Sequence, residues 1–72
     1  MNITDAAAFG DTIRRRRKEM HYTQAFLAEF SGFSVSFISD LERGKSTAEL
    51  GKALYIASIL GLDCILSPRG NG

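Results

Sequence analysis

Of the nine Lys and Arg residues in the chain, seven fall in two groups: Arg14, Arg15, Arg16, Arg17 and Lys18 in an unbroken run, and Arg43 with Lys45 further on. The chemistry open to such groups is electrostatic, the neutralisation of phosphate, and clustering matters more here than the net charge of only +1. A run of cations on a helix can also be a plain solvated face. The acids Asp5, Glu29, Glu49 and Asp63 are scattered elsewhere. The parts of a catalytic centre are not assembled: no nucleophile has a base and an orienting group, no paired carboxylates stand out, and no glycine-rich loop follows a strand. No catalytic residue is therefore named, and an enzyme is not expected. His21 stands alone and reads as a surface link, and the single cysteine, Cys64, reads as a small buried apolar residue. With no Cys/His cluster at ligand spacing, neither a metal nor a cofactor is expected, and a reducing cytosol fits best.

Positioning groups against a polyanion requires rigid elements, and residues 23–43 supply them. Thr23 can cap a helix carrying Leu27 and Ala28 inward, and Gly32 can end it in a left-handed conformation. A second cap, Ser34 or Ser36, follows at once, and the next helix buries Ile38 and Leu41 before stopping at Gly44. Two short helices joined by so tight a turn form a helix-turn-helix, in which small Ala28 permits a close crossing. Around this motif, Thr4 or Asp5 caps a first helix running to about Met20, with Phe9, Ile13 and Met20 as its apolar stripe. Thr47 is expected to cap a fourth helix reaching about Leu60, with Leu50, Ala53, Leu54, Ala57 and Leu60 inward and Tyr55, Ile56 and Ile59 widening the stripe. Most of Phe26, Phe30, Phe33 and Phe37 read as core, with one or two left for a protein partner.

Thr23-Gln24, Leu27-Ala28, Gly32, Ser34, Ile38-Ser39 and Leu41-Glu42-Arg43-Gly44 together resemble the phage-repressor (Cro and C1-like, XRE) helix-turn-helix family over roughly residues 8–62. Glu42-Arg43-Gly44-Lys45, Thr47-Ala48-Glu49-Leu50-Gly51 and Leu60-Gly61-Leu62-Asp63 further resemble its short HipB-like antitoxins. The resemblance implies a compact all-α, four- to five-helix, lambda-repressor-like DNA-binding domain. It also implies an Arg17 to Glu42 ion pair, groove-facing Ser34, Val35, Ser36, Ser39 and Asp40, and Thr23 and Gln24 as clamps on the DNA backbone. Arg43, Lys45 and Ser46 are then placed for phosphate at the far end of the recognition helix. Arg16 stands where many members carry leucine, so its stem can cover apolar surface while its head reaches water or phosphate. Family members often have glutamine where this chain has Val35 and Ser36. Without it, base readout rests on a thymine methyl for Val35, on serine hydroxyls, and on a donor such as cytosine N4 for Asp40.

A chain of 72 residues makes one domain, 1–72, near the lower limit at which an apolar core suffices alone. Residues 62–67, Leu-Asp-Cys-Ile-Leu-Ser, read as a strand before Pro68, and a lone strand leaves its backbone groups unpaired. The economical solution is the same segment of a second copy, antiparallel across a two-fold axis, with Leu62, Cys64, Ile65 and Leu66 at a homodimer interface. Residues 1–3 read as a loose end, with no signal peptide. No apolar run approaches the ~20 residues that span a bilayer. The expectation is therefore a cytoplasmic dimer on an inverted-repeat operator in double-stranded DNA. By resemblance alone it is an antitoxin that also holds a HipA-type serine/threonine kinase toxin. A stand-alone phage or chromosomal repressor, or an interaction module that has lost DNA binding, are the other readings.

Overall fold

The computed structural model describes residues 5–68, and the expectations for Thr4, for residues 1–3 and for those after Pro68 lie outside them. Four helices follow in order, α1 (Ala6–Glu19), α2 (Gln24–Ser31), α3 (Val35–Glu42) and α4 (Leu50–Ile59). Local chemistry explains most of their ends. Asp5 caps α1 by accepting from the Ala8 amide at 2.8 Å. No glycine closes α1; His21 instead takes the left-handed conformation at φ 60, which histidine tolerates better than most side chains, and the Tyr22 amide reaches back to the Arg17 carbonyl at 3.1 Å.

The four apolar faces meet in one core. Ile13 of α1, Leu27 and Ala28 of α2, Ile38 and Leu41 of α3, and Ala53, Ile56, Ala57 and Leu60 at α4 are all buried, with Phe9, Met20, Phe33 and Phe37 packed partly against them. Helix α1 crosses the end of α3 at Gly10. A methyl group there would collide with the Leu41 carbonyl oxygen and lie 2.8 Å from that of Glu42. The same helix crosses the next turn just as closely, since a Cβ on Gly44 would stand 2.6 Å from the Ala7 Cα. Among the described residues no helix is long and apolar enough to cross a membrane.

Several expectations need correction. Thr47 does not cap the fourth helix: residues 45–48 are spent on a turn, closed by the Ala48 amide on the Lys45 carbonyl at 3.2 Å, which tucks Ala48 against the core. Helix α4 starts at Leu50 after Glu49, with no side-chain cap. Leu50 and Leu54 face outward, and Ile56 takes the inward place beside Ala53, Ala57 and Leu60. None of the four motif phenylalanines is fully buried; Phe26 and Phe30 lie on the outside of α2, Phe30 63% exposed. Cys64 is exposed rather than buried. Finally, residues 62–67 form no strand within the single chain, because no second strand exists among the described residues to pair with them. Leu62 alone leans on the core, and Leu66 is 99% exposed.

The Gly10 crossing makes a quantitative expectation. Gly10→Ala forces α1 away from two backbone carbonyls that cannot rotate aside, so it should lower unfolding stability by at least about 2 kcal/mol, read as a fall in urea midpoint. Helix propensity acts in the other direction, favouring Ala by about 1 kcal/mol. A neutral or stabilised variant would show that the two helices do not meet so closely.

Candidate nucleic-acid interface

Helix α3 is held from both ends and from beneath. At its start, Thr23 Oγ1 accepts from the Phe26 amide at 2.9 Å to begin α2, and Gly32, at φ 82, ends α2 in the left-handed conformation. The Phe33 amide closes back onto the Ala28 carbonyl at 3.1 Å, and Ser34 Oγ accepts from the Phe37 amide at 3.0 Å to begin α3. Only Gly32 and Phe33 lie between the end of one helix and the cap of the next, so the crossing angle has little freedom. Beneath, Ile38 and Leu41 are buried.

At the far end a buried polar node fixes α3 to both earlier helices. Arg17 donates from Nε to Glu42 Oε2 at 2.6 Å and from Nη2 to Oε1 at 3.0 Å, a two-pronged ion pair whose residues are each 7% exposed. Its Nη1 donates to the Tyr22 carbonyl at 2.8 Å, and Gln24 Nε2 donates to Glu42 Oε1 at 3.1 Å. Among the described residues no buried side-chain nitrogen or oxygen lacks a partner. Arg17 and Glu42 together therefore tie α1, the link, α2 and α3.

What α3 leaves outward is a single arc. Val35, Ser36, Ser39, Asp40 and, just beyond the last turn, Arg43 fall on the side opposite Ile38 and Leu41 by helical spacing. Val35 and Ser36 are exposed, and Ser39 and Asp40 half-buried. Ser34 stands at the helix start; its oxygen is used by the cap and its hydroxyl hydrogen can still donate. Thr23 is likewise an exposed cap. Gln24 gives one amide hydrogen to Glu42 and keeps another. Lys45 and Ser46 lie exposed in the turn after α3. Asp40 is engaged by two of these groups: Oδ1 accepts from Arg43 Nη2 at 2.6 Å and Oδ2 from Lys45 Nζ at 3.3 Å.

Arg16 has a different use. Its Nε donates to the Leu60 carbonyl at 2.8 Å, capping the end of α4, and Nη1 reaches Glu19 at 3.4 Å. Sequence reasoning missed two polar features. The Asp40 to Arg43 spacing of three was legible as a helical pair, whereas Lys45 reaches Asp40 only because the chain turns at Gly44. Lys52 lies over the rings of Phe33 and Phe37, 5.4 and 5.8 Å from their centroids, a contact no local spacing announces. Among the described residues no group of three or more His, Cys, Asp or Glu could hold a metal.

Comparison with known proteins agrees with this geometry. The helix-turn-helix family matches residues 13–65. An HTH-type transcriptional regulator of Sinorhizobium fredii is 42% identical over 67 residues, covering 92% of this chain and 88% of its own. The ImmF control region 10 kDa protein of Bacillus phage phi105 is 31% identical over 61 residues, covering 85% and 68%. Among solved structures, a HipB–O4 20mer complex superposes with a TM-score of 0.86, at 22% identity, over 96% of this chain and 97% of that one. A HipB complex with an O2 20mer gives the same TM-score at 23% identity, over 96% of both chains. At such identities the likeness to these structures is one of fold.

The node at Arg17 is testable by itself. Arg17→Ala leaves the Glu42 carboxylate buried without its cation and should cost about 3 kcal/mol in urea unfolding. The double variant Arg17→Met with Glu42→Leu, apolar on both sides, should recover most of that loss. A single variant within about 1 kcal/mol of the parent would contradict the role given to the pair.

Proposed function

The chain belongs to the helix-turn-helix family, and from that membership we propose that it is a transcriptional repressor acting in the cytosol, in which α3 enters the major groove of double-stranded DNA. The observation that carries the reading is the outward arc of α3, free of the core while its opposite face is pinned by Ile38, Leu41 and the Arg17–Glu42 pair. In such a motif the second helix lies in the groove and the first crosses the backbone. Ser34, Val35, Ser36 and Ser39, with Asp40 beside them, are the residues that face the bases. Thr23 and Gln24 clamp phosphate at the start of α2, where amides point outward, and Arg43, Lys45 and Ser46 do so past the end of α3.

Readout by serine and valine is weak per residue, so phosphate contacts and DNA shape carry much of the affinity. A homodimer supplies the rest of the specificity, since two recognition helices about 34 Å apart read an inverted repeat on one face of the duplex. The dimer forms through residues 62–67, where Leu62, Cys64, Ile65 and Leu66 meet their symmetry mates and gain a strand partner that the described residues of one chain do not offer. The exposure of Ile65 and Leu66 supports this, as does that of Leu50 and Leu54 on α4.

We further infer that the repressor is the antitoxin of an autoregulated operon and holds a HipA-type serine/threonine kinase. The support is the run from Glu42 to Gly51, together with the fold shared with HipB. The similarity to a phage control-region protein favours the alternative, a stand-alone repressor without a toxin. Co-purification with the products of adjacent genes separates the two. A kinase-like partner retained through purification supports the antitoxin, and a chain that purifies alone beside such a product rules it out.

DNA binding itself is tested by mobility shift at two salt concentrations. Ser36→Ala should lower the preference for the operator over random DNA by about 1 kcal/mol, roughly fivefold, with random-sequence affinity unchanged. Arg43→Ala should weaken both alike and reduce the salt slope by about 1. Equal losses on both DNAs for both variants would contradict the assignment.

A further inference from the structure

Asp40 sits where a carboxylate is disfavoured on its own account. It lies in the last turn of α3, where the aligned carbonyl groups give the helix end partial negative charge, and it occupies the arc that would face a polyanion. Its two oxygens are nevertheless engaged, Oδ1 by Arg43 at 2.6 Å and Oδ2 by Lys45 at 3.3 Å. The backbone under these side chains is fixed as well. The Lys45 amide donates to the Asp40 carbonyl at 3.0 Å, and Gly44, between the two cations, is held left-handed at φ 81 with Ala7 of α1 pressed against its Cα. Neither cation has a second acid among the described ion pairs.

We infer that Asp40 is a positioning residue for DNA binding: it holds the heads of Arg43 and Lys45 in a fixed pair aimed past the end of α3, and it cancels part of their charge so that binding to arbitrary DNA stays weak. This rests on the DNA-binding reading above. Unrestrained, the two long side chains would each carry rotamer entropy that a phosphate contact must overcome. Tethered to Asp40, they lose part of that freedom before DNA arrives. Only one Arg43 nitrogen is committed, so the remaining guanidinium hydrogens can still fork onto a phosphate, and the Lys45 ammonium keeps two further donors. The charge effect acts on all sequences, whereas the fixed geometry of the pair helps only where the phosphates stand in one defined register, so losing the carboxylate is offset on a cognate duplex and not on arbitrary DNA. Non-specific affinity grows with the number of counterions that the protein releases, and a carboxylate between two cations lowers that number.

The test uses the full chain with the isosteric variant Asp40→Asn and the charge-retaining variant Asp40→Glu. Two probes are titrated at about 50 and 200 mM salt: a random-sequence duplex, and a duplex selected by the parent protein from a random pool. Asp40→Asn should bind the random duplex roughly threefold to tenfold more tightly at the lower salt, with a salt slope steeper by about 0.9. Its preference for the selected duplex should narrow by the same factor. Asp40→Glu should return slope and preference towards those of the parent, with thermal midpoints alike in all three. Random-duplex affinity and slope unchanged in Asp40→Asn would overturn the inference. So would a loss confined to the selected duplex, which would make Asp40 a reader of bases. A parent protein that binds neither duplex would overturn the DNA-binding reading itself, and this inference with it.

Discussion

The Arg17–Glu42 pair is the interaction on which the arrangement of the motif depends. Its partners are twenty-five residues apart in sequence, and around it gather the Tyr22 carbonyl and the Gln24 amide. A buried ion pair is poor evidence for net stability, because removing two charges from water costs about as much as their attraction returns. Its contribution here is directional. Apolar residues can slide past each other with small loss, whereas a two-pronged guanidinium to carboxylate contact tolerates little rotation. The end of an eight-residue helix, which its caps alone could not orient, is fixed relative to α1 and α2.

That rigidity makes sense of a proposed recognition surface poor in long polar side chains. Serine and valine bring few bonds and little reach, so whatever they contact must be met by accurate placement of the backbone rather than by a side chain searching for its partner. The helix is accordingly constrained at Ser34, along Ile38 and Leu41, and at Glu42. The longer cations sit just beyond the helix end, and Asp40 restrains them too.

Much of this fold was legible because its signals are local. Thr23 and Ser34 as caps, Gly32 as a left-handed stop, and the spacing of Ile38 and Leu41 are each decided within one or two turns of chain. Less was legible where the answer depends on what crosses from elsewhere. Gly10 reads as an ordinary weak spot in a helix until the carbonyls of Leu41 and Glu42 are seen against it. In α2, Leu27 and Ala28 read as inward and are buried, but Ala25, Phe26 and Phe30 make almost every other direction apolar too, so periodicity could not say that the aromatics would face out. Thr47 looked like a cap because threonine competes for that role, and burial of Ala48 against the core decided otherwise. In the candidate interface, the pairing of Arg17 with Glu42 followed from family resemblance rather than spacing. The capture of Lys45 by Asp40 depends on a turn whose geometry α1 imposes.

Two adjacent arginines connect α3 to the segment proposed to join two copies. Arg17 points from α1 to the end of α3, while Arg16, one position round the same helix, donates to the Leu60 carbonyl at the end of α4. The chain beyond α4 turns at Gly61, left-handed at φ 74, and Leu62 rests against the core before the exposed residues begin. Helix α1 thus acts as a strut with α3 fastened to one side and the root of the tail to the other. If the tail pairs with a second copy, the distance between the two α3 helices is set through this strut rather than through the tail alone. Loosening Arg16 would then leave each α3 correctly seated in its own subunit while changing the angle at which the pair meets DNA, whereas loosening Arg17 would disturb the subunit itself. The two arginines have the same chemistry and differ in what lies across from them, which is a property of the fold and not of the residues.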